Sequence, residues 1–67
     1  MTFHTRLRQI RQDKGITQEA LAASVGVTRQ TIIAIEKEKF VPSAKLALLL
    51  AAALKARFDD VFWLDKT

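Results

Sequence analysis

Four consecutive side chains, Thr28, Arg29, Gln30 and Thr31, offer hydrogen-bond donors and acceptors in a chain whose residues are 49% apolar. At the first turn of an exposed helix, such a set suits a surface that is itself patterned with donors and acceptors. A guanidinium can bond guanine O6 and N7 together, a carboxamide can bond adenine N6 and N7, and a methyl can touch the thymine methyl. Other chemistries find few residues to work with. One histidine, His4, and no cysteine leave no metal-ligand set and no thiolate. No nucleophile–base pair or phosphate loop can be assembled. The chain is therefore expected not to be an enzyme, and to use no metal, cofactor or small-molecule ligand.

The elements that must position those four residues are short helices. Phe3, Leu7 and Ile10 recur at helical spacing, which predicts a first helix from about Thr2 to Lys14, closed by Gly15. A second runs from Thr17 to Ser24, with Thr17 as N-cap and Glu19 in the first turn, at the positive end of the helix dipole. Ala20 stands where a full capping box would place Glu or Gln. Gly26 and Val27 then break the chain. Thr28 caps a third helix reaching about Lys37, with Ile32 and Ile35 inward and Arg29, Gln30, Ile33, Ala34 and Lys37 outward. Pro42 and Ser43 open a fourth, which buries Leu46, Ala47, Leu50, Ala51 and Leu54. A last short helix, about Phe58 to Trp63, turns Phe58, Val61 and Phe62 inward. No strand-period alternation is seen, so the fold class is all-α, five helices in one domain over 1–67.

Two helices joined by a three-residue turn containing glycine, from Thr17 to Glu36, meet at a steep angle and project the second outward. Charge agrees with this placement. The 67 residues carry 11 Lys and Arg against 7 Asp and Glu, a net charge of +4. Residues 1–45 hold eight of the cations and four of the acids, while 46–67 hold three of each, so the whole excess lies on the part that includes the exposed helix. The blander alternative is that Arg29 and Gln30 are ordinary solvated helix residues. Lys37, Glu38 and Lys39 can likewise be read as a solvated turn, and His4 as a solvated N-terminal residue.

The segments R-x-x-K-G-I-T-Q-E-x-L-A at Arg11–Ala22, V-G-V-T-R-Q-T-I at Val25–Ile32 and I-x-x-I-E at Ile32–Glu36 resemble the Cro/Xre-type (lambda-repressor-like) helix-turn-helix family. The Pro42–Ala52 pattern and the D-D-V-F near the end resemble its small single-domain members. The resemblance implies a five-helix DNA-binding transcriptional regulator, with Arg29, Gln30, Ile33 and Ala34 facing bases. It also implies phosphate contacts from Gln18, Thr28, Thr31, Lys37, Lys39 and Ser43, and a structural ion pair between Arg11 and Glu36. The sequence departs from the family pattern at Glu38 and Lys55, where glycine is usual after the third and fourth helices, and at Arg57, where a serine cap is usual.

Apolar residues exceed what one buried stripe requires. They either wrap the domain's own core or, as Leu49, Ala53, Trp63 and Leu64, form a two-fold dimer patch. The dimer is favoured, because proteins of this kind bind paired half-sites. The expected partner is then double-stranded DNA with a near-palindromic operator, and the expected role is a repressor. The alternative is a protein-interaction module, an antitoxin or anti-repressor, that docks through its apolar C-terminal helices. The N-terminus has no signal-peptide core, and the longest apolar run, Leu46 to Leu54, is far short of the ~20 residues of a membrane span. The expected location is cytoplasmic, with no membrane partner.

Overall fold

The computed structural model describes residues 1–66. Its elements in chain order are β1 (Thr2–Thr5), α1 (Leu7–Asp13), α2 (Gln18–Val25), α3 (Arg29–Glu36), α4 (Ala44–Ala53), α5 (Phe58–Val61) and β2 (Phe62–Asp65). Leu7, Leu21, Ile32, Ile35, Leu50, Leu54 and Val61 are the largest fully buried side chains, and with Ala22, Ala47, Ala51 and Phe62 they form one core cluster. The inward stripes expected for α3 and α4 are those found, except that Leu46 is only partly buried. No helix among the described residues is long and apolar enough to cross a membrane.

The all-α expectation is corrected at the two ends of the chain. The first helix does not begin at Thr2, nor does the last run to Trp63, because Thr2–Thr5 and Phe62–Asp65 pair as an antiparallel ribbon with Thr5 opposite Phe62 and Phe3 opposite Leu64. Facing pairs share a side of the ribbon, so Phe3 and Phe62 fall on one side and His4 and Trp63 on the other. Both pairs stack, with ring centroids 6.0 and 5.9 Å apart. The start signal for α1 is Thr5: its hydroxyl accepts from the Leu7 amide at 3.0 Å and donates to the Val61 carbonyl at 2.8 Å, tying the end of α5 to the start of α1. Phe58 is 43% exposed rather than buried, though its ring lies 5.7 Å from that of Phe62.

Helix starts follow the expected chemistry at two of three positions. The Thr17 hydroxyl accepts from the Ala20 amide at 3.0 Å, and Ser43 accepts from Leu46 at 3.1 Å. Thr28 has the backbone of a cap, but its hydroxyl makes no cap bond. It lies instead 3.3 Å from the Thr31 hydroxyl.

Helix ends repeat one device. After each of α1, α2, α3 and α4 the chain closes with a pair of bonds in which an amide reaches back five residues and its predecessor reaches back three. For α3 these are Lys39 to Ala34 and Glu38 to Ile35, both at 2.9 Å; for α4 they are Ala56 to Ala51 at 3.0 Å and Lys55 to Ala52 at 3.1 Å. This closure requires one left-handed residue. Gly15 and Gly26 supply it at φ 69° and 76°, and Glu38 and Lys55 adopt it without being glycine, at φ 61° and 53°. The geometry therefore matches the glycine-containing family pattern, at a steric cost of roughly 1–2 kcal/mol per non-glycine residue. No bond or ion pair involves the Lys55 side chain among the described residues, so Lys55→Gly is expected to raise stability by about 1 kcal/mol. A Cβ at Gly26 would meet nothing within 4 Å, so Gly26→Ala suffers only from its backbone angle and is expected to cost a similar amount. Urea denaturation of both variants measures these opposite shifts.

Candidate nucleic-acid interface

The α2–turn–α3 unit is positioned by a buried charge pair. Arg11, on α1, donates from Nε to Glu36 Oε2 at 2.7 Å and from Nη2 to Oε1 at 3.3 Å, while Nη1 holds the Ile16 carbonyl at 2.8 Å. The side chains are 9% and 3% exposed. A buried carboxylate is tolerable only when paired and fully bonded, and here Gln18 adds a third donor, Nε2 to Glu36 Oε1 at 3.0 Å. No buried side-chain nitrogen or oxygen among the described residues lacks a partner. The pair thus joins α1, the α1–α2 turn, the start of α2 and the end of α3.

The network continues outward to the solvent face. Gln18 Oε1 accepts from Arg29 Nε at 3.2 Å. Arg29 Nη1 also lies 3.8 Å from Glu19, an exposed pair with side chains 57% and 78% accessible. An exposed contact of that length contributes ~0–1 kcal/mol, so the bond to Gln18 is the one that orients the guanidinium. Arg29 and Gln30 are both exposed in the first turn of α3, with Ile33 and Ala34 half-buried one turn further on.

An open cleft of about 650 Å³ lies over the Arg11–Glu36 pair, and Gln18, Arg29, Ile33 and Lys37 all line it. The structure therefore gathers four of the expected contact residues at one place. Thr28, Gln30, Thr31, Ala34, Lys39 and Ser43 do not line this cleft. Thr28 and Thr31 turn their hydroxyls to each other, Ser43 caps α4, and Lys39 is exposed in the turn after α3. The family pattern did not single out Arg8, Gln12, Thr17 and Glu19, which also line the cleft. Helical spacing was the available signal for the first two, since Arg8, Arg11 and Gln12 stand at i, i+3 and i+4 on α1.

Among the described residues, no group of three or more His, Cys, Asp or Glu could hold a metal ion. The cleft instead presents four cations, Arg8, Arg11, Arg29 and Lys37, against two carboxylates, Glu19 and Glu36. A cationic cleft beside the exposed start of the second helix of a helix–turn–helix unit defines a DNA-binding domain. The chain belongs to the helix-turn-helix family HTH_3, whose model matches residues 7–61, and is a transcriptional regulator of the Cro/Xre type. It is 46% identical over 61 residues to the uncharacterized HTH-type transcriptional regulator YgzD of Bacillus subtilis, covering 91% of this chain and 92% of that one. The restriction-modification controller protein C.AhdI from Aeromonas hydrophila superposes with a TM-score of 0.77 at 34% identity, covering 82% of this chain and 83% of that one. The DNA-binding domain of the P22 c2 repressor gives the same TM-score of 0.77 at 33% identity, over 81% of this chain and 71% of that one. The relatives are described as regulators, a non-enzymatic class.

Removing one partner of the buried pair leaves a buried charge alone. Arg11→Met is expected to cost about 3–5 kcal/mol, a large part of what a domain this small has to lose. Circular dichroism during thermal unfolding reads the loss.

Proposed function

We propose that this chain is a sequence-specific repressor, two copies of which lay α3 in successive major grooves of a near-palindromic operator. The observation that carries this reading is the exposed Arg29–Gln30 edge, whose Arg29 is held by Gln18 and lines a cationic cleft. Gln18 engages Arg29 Nε, so Nη2, together with Nη1 once it leaves its exposed 3.8 Å contact with Glu19, can meet guanine O6 and N7. Gln30 can then read adenine, and the half-buried Ile33 and Ala34 offer apolar contact to thymine methyl groups. Lys37, Lys39, Thr28, Thr31, Ser43 and the Gln18 amide at the start of α2 would fix the duplex by its phosphates, which orient the protein but carry no sequence information.

An α3 of eight residues reaches few base pairs, so a half-site alone gives little discrimination. The molecule measures 33 × 20 × 19 Å. Two copies side by side can therefore span the ~34 Å between successive major grooves. Leu49, Trp63 and Leu64 are 40%, 37% and 58% exposed, and with the half-buried Ala53 they would supply the contact between copies. The ribbon's alternation turns Trp63 and Leu64 to opposite sides, so each would meet a different part of the partner copy. Promoter occupancy by such a dimer blocks transcription, and a cytoplasmic location goes with that role.

Selection of bound fragments from a random duplex pool should return an inverted repeat with half-sites one helical turn apart. Absence of any duplex binding at low salt would point instead to a protein partner. Arg29→Ala is expected to cost about 1–3 kcal/mol at one base pair of each half-site. An unchanged preference in that variant, measured by competition with single-base operator variants, would remove Arg29 from base reading. Leu49→Asp is expected to convert a dimer to a monomer in sedimentation equilibrium.

A further inference from the structure

We propose that α1 contributes its own phosphate-binding position: Arg8, one turn from Gln12 on a cleft that Lys37 also lines, takes a DNA backbone phosphate. The proposal rests on the DNA-binding reading above, and extends the interface to a helix outside the helix–turn–helix unit.

The charges in the cleft are not equivalent. Arg11 and Glu36 neutralise each other on its floor at 2.7 Å. Arg29 is turned toward Gln18 and Glu19. Arg8 and Lys37 have no carboxylate within ion-pair distance among the described residues, and both line the cleft. Arg8 also lines a second, smaller cavity with Thr5, Arg6, Gln9, Gln12 and Glu36, whose carboxylate is already taken up by Arg11 and Gln18. The Arg6 guanidinium beside it is 4.7 Å from the centre of the Trp63 ring, engaged by the ribbon rather than by an anion. The cleft's two carboxylates are engaged by Arg11 and Arg29, so Arg8 and Lys37 are left without an ion-pair partner among the described residues, and a phosphate bound in the cleft would attract both. Arg presents a planar fork suited to two phosphate oxygens, and Gln12, one turn along α1, can add a carboxamide donor.

A phosphate contact differs from a base contact in what its loss does. Arg8→Gln is expected to weaken binding equally on every duplex and to lower the slope of log K against log salt by about 0.9 for each site occupied. Arg8→Lys, which keeps the charge, should retain that slope. Lys55→Gln, whose side chain lines neither cavity, controls for the loss of one unit of net charge and should leave the slope unchanged. Phosphate-ethylation interference on a duplex that the unmodified protein binds should lose one position per half-site with Arg8→Gln and keep the rest. An unchanged slope and interference pattern for Arg8→Gln would overturn the phosphate position while leaving the DNA-binding reading intact. Equal slope changes for Arg8→Gln and Lys55→Gln would also overturn it, since bulk charge would then account for the effect. Failure of the unmodified protein to bind any duplex at low salt would overturn both readings. Arg8 is exposed, so circular dichroism of Arg8→Gln should match the parent and exclude misfolding as the cause.

Discussion

The geometry of the interface depends on keeping one carboxylate, Glu36, almost completely out of water. Each of its oxygens accepts from Arg11, and one accepts from Gln18 as well. Satisfying that group fixes the last turn of α3 against α1 and against the first residue of α2. The same Gln18 then holds Arg29, so the orientation of an exposed side chain is set by a buried one two bonds inward. Burying a charge pair seldom adds stability compared with apolar residues of the same shape. Here its effect is directional, because guanidinium and carboxylate meet in a narrow range of geometries where leucine and isoleucine would pack in many.

The helix ends show a second constraint. Each of the four longer helices must stop and turn within a few residues, and each does so through a left-handed residue. At Glu38 the strained residue is also used elsewhere. Its carboxylate accepts from the Thr5 amide at 2.9 Å and lies 3.4 Å from His4 Nδ1, so the turn after α3 is tied to β1. The bond also occupies an amide that an edge strand would otherwise leave open to another chain. His4, a solvated residue in the simplest reading of the sequence, stands between Glu38 and Asp65 with its ring stacked on Trp63.

Much of this architecture was legible in the sequence because its signals are local. Thr17 and Ser43 before apolar runs, Gly15 and Gly26 after them, and the Ile32–Ile35 stripe each act within a turn or two of chain. The Arg11–Glu36 pair spans 25 positions and came from resemblance to the family, since no periodicity joins those two residues. The ribbon escaped because neither strand carries enough information alone. Phe3, Leu7 and Ile10 have helical spacing by coincidence, and Thr2–Thr5 becomes a strand only because Phe62–Asp65 lies beside it. Lys55 and Glu38 escaped for the opposite reason: the bond pattern at the end of each helix imposes a backbone angle that the residue type disfavours. Helical spacing puts Arg8 and Gln12 on one side of α1, but the cleft they share with α3 exists only once the helices are packed.

The ribbon joins the first residues of the chain to the last described ones, and among the described residues each strand's ladder bonds go to the other. Damage to the two ends is therefore not independent. Loss of β2 would strip β1 of its pairing and take the Trp63 ring away from His4 and Arg6, and loss of β1 would leave β2 unpaired and free the turn that Glu38 anchors. A segment entering β1 would therefore run beside one leaving β2.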